Sequence, residues 1–317
     1  MVTRLRKNER GVALLAVLLG IALMTLLVVD FAMSAGLGYV SAANQANELR
    51  AYYLARSGIS VGIGMLAADS RDPMKQQTPM DSLNDRWAIP FPPLPLEGGS
   101  VSLSVVDEAR KLCINQVTDP NKGVPNLPAI QRLERLFTIL GVNTDIIPAI
   151  VDWVGPATLS TPGGAQADFY LALRPPYQTR NGPMPTLGDL RMVKGVNEAV
   201  YNRIAPFLTV MPEFQVNANT ASPEVLASLE PELMEDTKIV EEIVAMRAIQ
   251  PFIKVTDVAN IPSVATFGTR LTQVLTTRSQ FFTIRGMGTF AGARKTVSAT
   301  FHREQGGTGT LATWNED

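Results

Sequence analysis

The sequence predicts an α+β fold in which a long N-terminal transmembrane helix precedes an antiparallel β-sheet, with a large all-α domain inserted between the two halves of that sheet. Three observations predict it. An uncharged apolar stretch runs from Gly11 to Val29. Strand-like alternation occurs near positions 100–115 and again near 282–301. The intervening residues, 118–277, have the apolar spacing of amphipathic helices, and a chain of 317 residues is long enough for this organisation.

The first predicted element is a membrane-spanning segment at residues 12–29, which is long enough to cross a bilayer. Basic residues outnumber acids before it, so the start of the chain should stay cytoplasmic and the residues after Asp30 should cross the membrane. The basic residues are Arg4, Arg6, Lys7 and Arg10, and the acid is Glu9. An ordinary cleaved signal is an alternative, but its apolar stretch is usually about 7 to 15 residues long. A plain signal anchor is the other alternative.

A short basic leader, then Gly11, then the apolar run Val12–Leu15 open the chain in this order. This order resembles the class III leader of type IV pilins and type II secretion pseudopilins, which is cut on the cytoplasmic side after the glycine. The resemblance implies a leader at residues 1–11, a processing site at Gly11 and Val12, an N-methylated Val12 and a prepilin peptidase as a partner. A minor pilin of a type IV pilus shares these features and stays an alternative.

The helix should continue far beyond the membrane, over residues 12–66. Two series of small or apolar residues recur at spacings of 4, 3 and 4, as expected on one face of a helix. They are Ala42, Ala46, Leu49 and Tyr53, followed by Leu54, Gly58, Val61 and Met65. About fifty residues at 1.5 Å each give a stem of roughly 75 to 80 Å. A buried core helix is the alternative, but such helices are usually much shorter.

Ala16 occupies the fifth position after the predicted cut. Most pilins and pseudopilins carry a glutamate there, whose charge meets the free amine of the neighbouring subunit inside a filament. A subunit without a neighbour ahead of it would bear the desolvation cost of that carboxylate and gain nothing. Ala16 is therefore interpreted as a marker of a tip subunit, with neutral drift in an ordinary anchor as the alternative.

The segment Arg50–Gly58, with the sequence RAYYLARSG, resembles the helix of the K-type minor pseudopilins (GspK family) of type II secretion systems. Trp87 in its proline-rich stretch, and the order of strands and helices, match the same family. The resemblance implies a pilin-like sheet, a single-pass anchor in the bacterial inner membrane, a periplasmic location for most of the chain and a place at the pseudopilus tip. It implies the I, J and H types of minor pseudopilin and the major pseudopilin as partners. The implied function is to nucleate or cap the filament and assist protein export across the outer membrane.

Two hairpins should form the sheet. In the first, Val101, Leu103 and Val105 alternate with serines, and a turn at residues 107–110 leads into a strand at 112–114. The second hairpin is predicted from Phe282, Ile284, a turn at Ala291 and Gly292, and then Val297, Ala299 and Phe301. The two halves of the sheet are assigned to residues 67–117 and 278–303, and residues 304–317 to a flexible tail.

The inserted domain at residues 118–277 should be entirely helical. One amphipathic helix ends at Gly141, and a second covers residues 146–154. Further helices are expected after Thr186, Ser222 and Lys238. Ser222 is a suitable N-cap, because Pro223 follows it at the first helical position.

The segment Val216–Ser222, VNANTAS, matches a V-N-x-N-T-A-S motif of the K family and of helix-hairpin-helix proteins. Asn217, Asn219 and Thr220 have short polar side chains that can bond nearby backbone and fix the entry into the next helix. The resemblance implies a SAM-like or helix-hairpin-helix-like insert, with a DNA-binding receptor as an alternative function. Residues 185–265 contain 6 basic and 11 acidic residues, a balance of 6 − 11 = −5, which opposes binding to a polyanion. No nucleic-acid partner is expected.

Catalysis is not expected, and no catalytic residue is assigned. The chain has one histidine, His302, and one cysteine, Cys113, which excludes disulfides and zinc sites built from thiolates or imidazoles. Residues 58–62, GISVG, satisfy the G-x-S-x-G pattern. Ser60 falls within the predicted helix, however, whereas a nucleophile elbow needs a strained strand-to-helix turn. Small residues that let the helix pack closely explain the pattern.

Calcium is the one candidate metal. The glycine- and proline-rich connection 155–185 is long for a segment without structure of its own, and members of the K family bind calcium in the helical insert. Asp152 and Asp168 resemble that family's acidic positions. This chain has Gly155-Pro156 and Gln166 where the family tends to have acids, whereas calcium takes about six to eight oxygen ligands. No cofactor is therefore required, and solvated loop acids are the alternative to bound calcium.

Overall fold

The computed structural model describes residues 9–96, 98–119, 121–304 and 307–316. The first helix, α1, spans Glu9–Arg71 and has 63 residues, which corresponds to about 95 Å at 1.5 Å per residue. It contains the whole predicted helix at residues 12–66 and extends beyond both of its ends. Of the predicted leader, residues 1–8 lie outside the described part of the chain.

After α1, the chain forms part of a sheet, then a mainly helical insert, then the rest of the sheet. The remaining helices are α2 (Pro73–Gln77), α3 (Leu127–Ile139), α4 (Ile147–Val154), α5 (Ala167–Leu171), α6 (Glu198–Ile204), α7 (Pro223–Leu229), α8 (Pro231–Glu235), α9 (Thr237–Ile249), α10 (Val255–Ala259) and α11 (Gly268–Val274). The strands are β1 (Leu94–Leu96), β2 (Gly99–Asp107), β3 (Leu112–Cys113), β4 (Leu208–Thr209), β5 (Val216–Asn217), β6 (Leu275–Thr276), β7 (Phe281–Phe290), β8 (Ala293–Arg303) and β9 (Gly309–Glu316). This order confirms the predicted fold class.

Five strands form one antiparallel sheet in the order β1-β2-β7-β8-β9. The predicted second hairpin is confirmed, because β7 and β8 pair along their length with Phe290 opposite Ala293. Its turn consists of Ala291 and Gly292, both at positive φ. A two-residue hairpin turn of type I′ requires positive φ at both positions. Strand β2 pairs with β7, so segments separated by the whole insert lie side by side in the sheet.

The predicted first hairpin is wrong. Strand β2 has β1 and β7 as its neighbours, and β3 instead pairs in parallel with β4 inside the insert. The turn after β2 is the cause: the Asp107 side chain accepts a hydrogen bond from Ala109 N (2.8 Å), and a 3₁₀ turn at Glu108–Arg110 follows. The chain leaves the sheet at this turn, so the insert begins before the predicted boundary at residue 118.

The predicted flexible tail at residues 304–317 is wrong over residues 309–316, which form β9 and pair antiparallel with β8. Trp314 packs against the sheet core, and its ring centroid lies 6.0 Å from the Arg56 guanidinium of α1. Glu316 accepts hydrogen bonds from Trp314 Nε1 (2.8 Å) and from the Tyr52 hydroxyl (2.9 Å). These contacts with α1 and the sheet order the segment.

Helix α1 packs on the sheet through small residues on both sides of the contact. Ala51 and Ala55 are fully buried, and two glycines of β7 lie against them. A Cβ atom on Gly286 would overlap the Ala55 carbonyl oxygen, and one on Gly288 would overlap the Ala51 carbonyl oxygen. Gly58 faces Gly286 as well. The predicted close packing through small residues is confirmed, and it accounts for the G-x-S-x-G pattern.

The contacts along α1 show which end of the sheet carries the insert. Going from Ala51 to Gly62, the helix passes first Gly288 and then Ile284 of β7. The start of β7 therefore lies toward the C-terminal end of α1. The end of β2 pairs with the start of β7, and the insert connects these two points. It thus occupies the end of the sheet remote from the apolar N-terminal part of α1.

Two hydrophobic cores stabilise the described chain. The sheet core contains residues of α1, of the strands and of the segment between α2 and β1, with Trp87 edge-on to Phe282 at a ring-centroid distance of 5.1 Å. The insert has a second and larger core between its helices. Two short parallel ladders, β3–β4 and β5–β6, belong to the insert, so the prediction of an entirely helical insert is wrong in this respect.

Several helix ends in the insert confirm the predicted signals. After α3 the chain turns at Gly141 with a φ of 64°, a left-handed conformation that favours glycine. The Ser222 hydroxyl accepts a hydrogen bond from Val225 N (3.4 Å) and caps α7, with Pro223 in the first turn. A 3₁₀ segment at Leu187–Met192 follows the predicted start.

Candidate functional site

The N-terminal part of α1 has an apolar surface that the rest of the described chain leaves uncovered. Every residue from Gly11 to Val40 is exposed. Among the described residues, α1 is the one helix long and apolar enough to cross a membrane. Burying apolar surface is worth about 25 cal/mol per Å², so a bilayer or contact with other apolar helices would stabilise this part of the helix.

The exposed surface continues past the membrane-length segment. Leu49 and Tyr53 are 55% and 56% exposed, and Ala42 and Ala46 are exposed as well. The first predicted series of α1 thus lies on the side that faces away from the sheet. The periodicity predicted the helix correctly. It did not indicate that the sheet would cover Ala51 and Ala55 and leave Leu49 and Tyr53 exposed.

The predicted processing residues lie in the first turns of α1. Gly11, Val12 and Ala16 are all exposed. A Cβ atom on Gly11 would meet no other atom within 4 Å, so no described contact shields the Gly11–Val12 bond. Cleavage at this bond, and the interpretation of Ala16 as a tip marker, stay predictions.

A buried polar network joins the insert to the sheet, and it includes the predicted structural motif. Asp107 at the end of β2 accepts hydrogen bonds from the Thr220 hydroxyl (2.5 Å), the Ser279 hydroxyl (2.8 Å) and Asn217 Nδ2 (3.2 Å). Each of these four side chains is buried. One carboxyl group therefore connects β2, the VNANTAS motif and the segment before β7.

Asn219 fixes a second point of the motif. Its side chain donates to Phe252 O (2.9 Å) and accepts from Phe252 N (2.8 Å), as a strand neighbour would. Its backbone N–H donates to Asn217 Oδ1 (2.9 Å). The short polar side chains thus bond nearby backbone, as the sequence predicts, and also hold the distant segment that follows α9.

A buried ion pair extends this polar network, which we call the junction between the insert and the sheet, to β8. Arg303 donates through Nη2 to Asp81 Oδ2 and to Ser279 O (2.8 Å), and Asp81 also accepts from Ser279 N (2.8 Å). The Arg303 guanidinium lies 4.6 Å from the centroid of the Phe282 ring. Sequence reasoning missed Asp81, Asp107, Ser279 and Arg303. The one local signal was an acid directly after a strand, which is equally typical of an ordinary turn.

Burial raises the pKa of Asp107 to about 7, and the nearby negative charge of Asp81 acts in the same direction. Hydrogen bonds from Thr220, Ser279 and the backbone of Ala109 favour the charged form and oppose the rise. The pKa of the Asp107 carboxyl therefore lies near neutral pH.

Asp69, Asp81 and Asp85 are the one group of three acids, within the described residues, whose ligand oxygens lie within 4.8 Å of one another. Two side-chain cations pair with this group. Lys75 Nζ lies 2.6 Å from Asp85 and 3.7 Å from Asp69, and Arg303 pairs with both Asp81 and Asp69. The arrangement is an internal ion network beside a cavity of about 430 Å³.

The two predicted calcium residues lie in different environments. Asp152 in α4 is buried, whereas Asp168 in α5 is exposed. Asp152 Oδ1 accepts a hydrogen bond from Thr161 N (2.9 Å), and Oδ2 has no partner in the described part of the chain. No group of three acids within ligand distance includes Asp152 there. One buried carboxylate does not fit the ligand set of a calcium site, which takes about six to eight oxygens and several carboxylates.

The three residues that suggested other chemistry lie in ordinary structural surroundings. Ser60 lies within α1 and not at a strand-to-helix turn. His302 in β8 stacks on Phe281 with ring centroids 4.4 Å apart. Cys113 is buried, and this burial raises its thiol pKa to about 11, so the reactive thiolate is disfavoured.

Comparisons with known proteins agree with one another. Two family models, both described as type II secretion system protein K, match residues 110–213 and 216–278. Type II secretion system protein K of Pseudomonas aeruginosa is 30% identical over 234 residues, covering 71% of this chain and 69% of that protein. Protein K of Pectobacterium carotovorum subsp. carotovorum is 28% identical over 229 residues, covering 68% of each.

The fold is similar to that in a crystal structure of the GspK-GspI-GspJ complex from the type 2 secretion system of enterotoxigenic Escherichia coli. The TM-score is 0.74 at 19% sequence identity, and the similarity covers 87% of this chain and 99% of that chain. With the matched insert and the identity to the Pseudomonas aeruginosa protein over more than two thirds of both chains, the chain belongs to the type II secretion system protein K family.

Proposed function

We propose that this chain is a non-enzymatic minor pseudopilin at the tip of a type II secretion pseudopilus. Helix α1 anchors it in the inner membrane before assembly, and the sheet and insert lie in the periplasm. It nucleates or caps the filament and so assists protein export across the outer membrane. One observation carries the tip position: the insert lies at the end of the sheet remote from the apolar part of α1.

The position of the insert limits where a neighbour can be added. Subunits drawn from a membrane enter a filament at its base, so only the first subunit has its far end free. The insert lies between Asp107 and Phe281 in the chain, and in our proposal it fills the space that a preceding subunit would need. Ala16 supports the same position, since a subunit without a neighbour ahead of it has no use for a buried carboxylate there.

The exposed side of α1 is the surface that we assign to partner subunits. The similar GspK chain forms a complex with GspI and GspJ, and we propose I- and J-type minor pseudopilins as direct partners of this chain. H-type and major pseudopilins would follow in the filament. The relatives are type II secretion proteins, which favours this function over that of a type IV pilus minor pilin or a DNA receptor.

A capture experiment with the full chain in detergent tests this function. The wild-type chain should capture the I- and J-type pseudopilins of the same bacterium. Leu49→Glu and Tyr53→Glu each place a charge on the exposed apolar side of α1, where partner packing would have to desolvate it. We expect each variant to weaken capture at least tenfold.

Ile249→Glu is the matched control, because Ile249 is an exposed apolar residue on α9 of the insert. It should capture both partners as the wild type does. A wild-type chain that binds neither partner would refute the proposed function. Equal capture by all three variants would refute the assignment of the α1 surface.

A further inference from the structure

The connection 155–185 closes over Asp152 in the insert, and its contacts differ from those of a metal-binding loop. Residues 152–185 contain two acids, Asp152 and Asp168, of which only the first is buried. Calcium takes about six to eight oxygen ligands from carboxylates, carbonyls and water. The backbone carbonyls of this loop would therefore have to supply a large share of the ligands.

Two of these carbonyls already accept hydrogen bonds from side chains. Gln166 Nε2 donates to Leu159 O, and Lys194 Nζ donates to Gly164 O (3.2 Å). Lys194 has only donors, and the Gln166 amide turns its N–H group and not its oxygen to the carbonyl, whereas a bound cation needs oxygen lone pairs. A hydrogen-bond donor, and not an acid, thus stands at Gln166.

The Lys194 ammonium has a second contact with the same loop. Its Nζ lies 5.1 Å from the centroid of the Phe169 ring, within the range of a cation–π interaction. The backbone N–H of Lys194 donates to the Tyr170 hydroxyl (3.1 Å). Tyr170 is fully buried, edge-on to Trp153 at a ring-centroid distance of 5.1 Å. Lys194 thus ties this loop to a segment 30 positions away from Gly164 in the sequence.

Asp152 holds the loop from the inside. Its Oδ1 accepts the hydrogen bond from Thr161 N (2.9 Å). Its Oδ2 is unpaired among the described residues, which is the one feature here that favours a cation. The backbone of Gly164 lies so close to Oδ2 that a Cβ atom on it would overlap this oxygen. A ligand shell around Oδ2 would have to displace that backbone.

We propose that Lys194 and Gln166 close this loop in place of a calcium ion, so that the insert folds without divalent metal. The Lys194 ammonium supplies the positive charge, and the Gln166 amide supplies the donor for the Leu159 carbonyl. The proposal concerns one loop of the insert and does not depend on a role in a pseudopilus.

Hydrogen–deuterium exchange of the full chain in detergent, read from peptides covering residues 155–173, tests this proposal. The wild-type loop should exchange equally in EGTA and in millimolar calcium chloride. Lys194→Met should speed exchange about two- to fivefold, because it removes one charged contact on an exposed surface. Lys194→Arg keeps the charge and the donors and should stay close to wild type. Lys238→Met, at an exposed lysine on α9, is the matched control and should change nothing.

Gln166→Glu gives a second, independent variant, because it replaces the donor to the Leu159 carbonyl by an acceptor. In EGTA its loop should exchange faster than that of the wild type. Slower exchange of the wild-type loop on adding calcium would overturn the proposal. Wild-type exchange of both Lys194→Met and Gln166→Glu in EGTA would overturn it too.

Discussion

Asp107 holds together parts of the chain that are far apart in sequence. Its carboxyl group ends β2, caps the turn at Ala109 and accepts hydrogen bonds from Thr220 and Ser279. A buried carboxylate is costly unless its oxygens are satisfied, and here the partners come from the insert and from the entry to β7. This one carboxyl group therefore ties the insert to the sheet.

We predict that stability depends on pH through Asp107. Its pKa is raised from 3.8 in the unfolded chain to about 7 in the folded chain, so the folded protein binds the extra proton between these values. The free energy of unfolding should therefore fall as pH rises from about 4 to about 7, and this group adds no further change above that. Between pH 5 and pH 7.5 the fall is on the order of 2 to 3 kcal/mol, since each unit of pKa difference is worth about 1.4 kcal/mol and about two of the units lie in this range. Guanidinium unfolding at pH 5 and pH 7.5 measures it.

Asp107→Asn is the comparison for this measurement, because the amide has a similar shape and no charge. Burial also raises the pKa of Asp69, to about 6, and that of Glu213, so the variant should keep part of the pH dependence. The difference between the two proteins isolates Asp107. If the wild type and Asp107→Asn lose stability in parallel, the raised pKa is wrong.

At the scale of elements, the contact of α1 with β7 sets the position of the stem. Ala51 and Ala55 meet Gly286 and Gly288 so closely that the backbones touch. This contact buries the small side of the helix. The apolar side chains at Leu49 and Tyr53 are then left outward, where other helices can cover them.

We predict that Gly288→Ala lowers the free energy of unfolding by about 1 to 3 kcal/mol, the usual cost of adding a methyl group to a tight contact. The added Cβ would overlap the Ala51 carbonyl oxygen. Gly64→Ala is the matched control on α1, since its Cβ would meet nothing within 4 Å and alanine favours a helix. Denaturant unfolding in detergent compares the two. Equal stability of both variants would contradict the close backbone contact.

The sequence predicted those elements whose signals are local. The second hairpin, the α3 end at Gly141 and the α7 cap at Ser222 depend on neighbours in the chain, and all three formed as expected. The partner of β3 and the pairing of β9 depend on distant strands, so alternation alone could not identify them. Part of the junction between the insert and the sheet was predicted, because the sequence motif identified Asn217 and Thr220. Asp107 and Arg303 were not predicted, because only the fold brings them into this junction.

At the scale of the whole molecule, the order of stem, sheet and insert gives the chain a direction. The apolar part of α1 lies at one end, and the insert lies at the other. Such a molecule can join a filament as a tip only if α1 leaves the bilayer with its apolar surface intact. The proposed route therefore requires removal of the basic leader and retention of the helix, which makes the Gly11–Val12 bond the decisive point.

We predict that the mature chain begins at an N-methylated Val12. Mass spectrometry of the N-terminus, on protein from cells with and without prepilin peptidase, measures this directly. Gly11→Ala should retain the leader, because a side chain replaces the glycine at the cut, whereas Gly20→Ala, at an equally open position of α1, should be processed normally. An intact Met1 in cells that contain the peptidase would mean a plain anchor. A cut near Ser34, after the apolar run, would mean an ordinary exported protein without a stem, and either result would exclude entry into a pseudopilus.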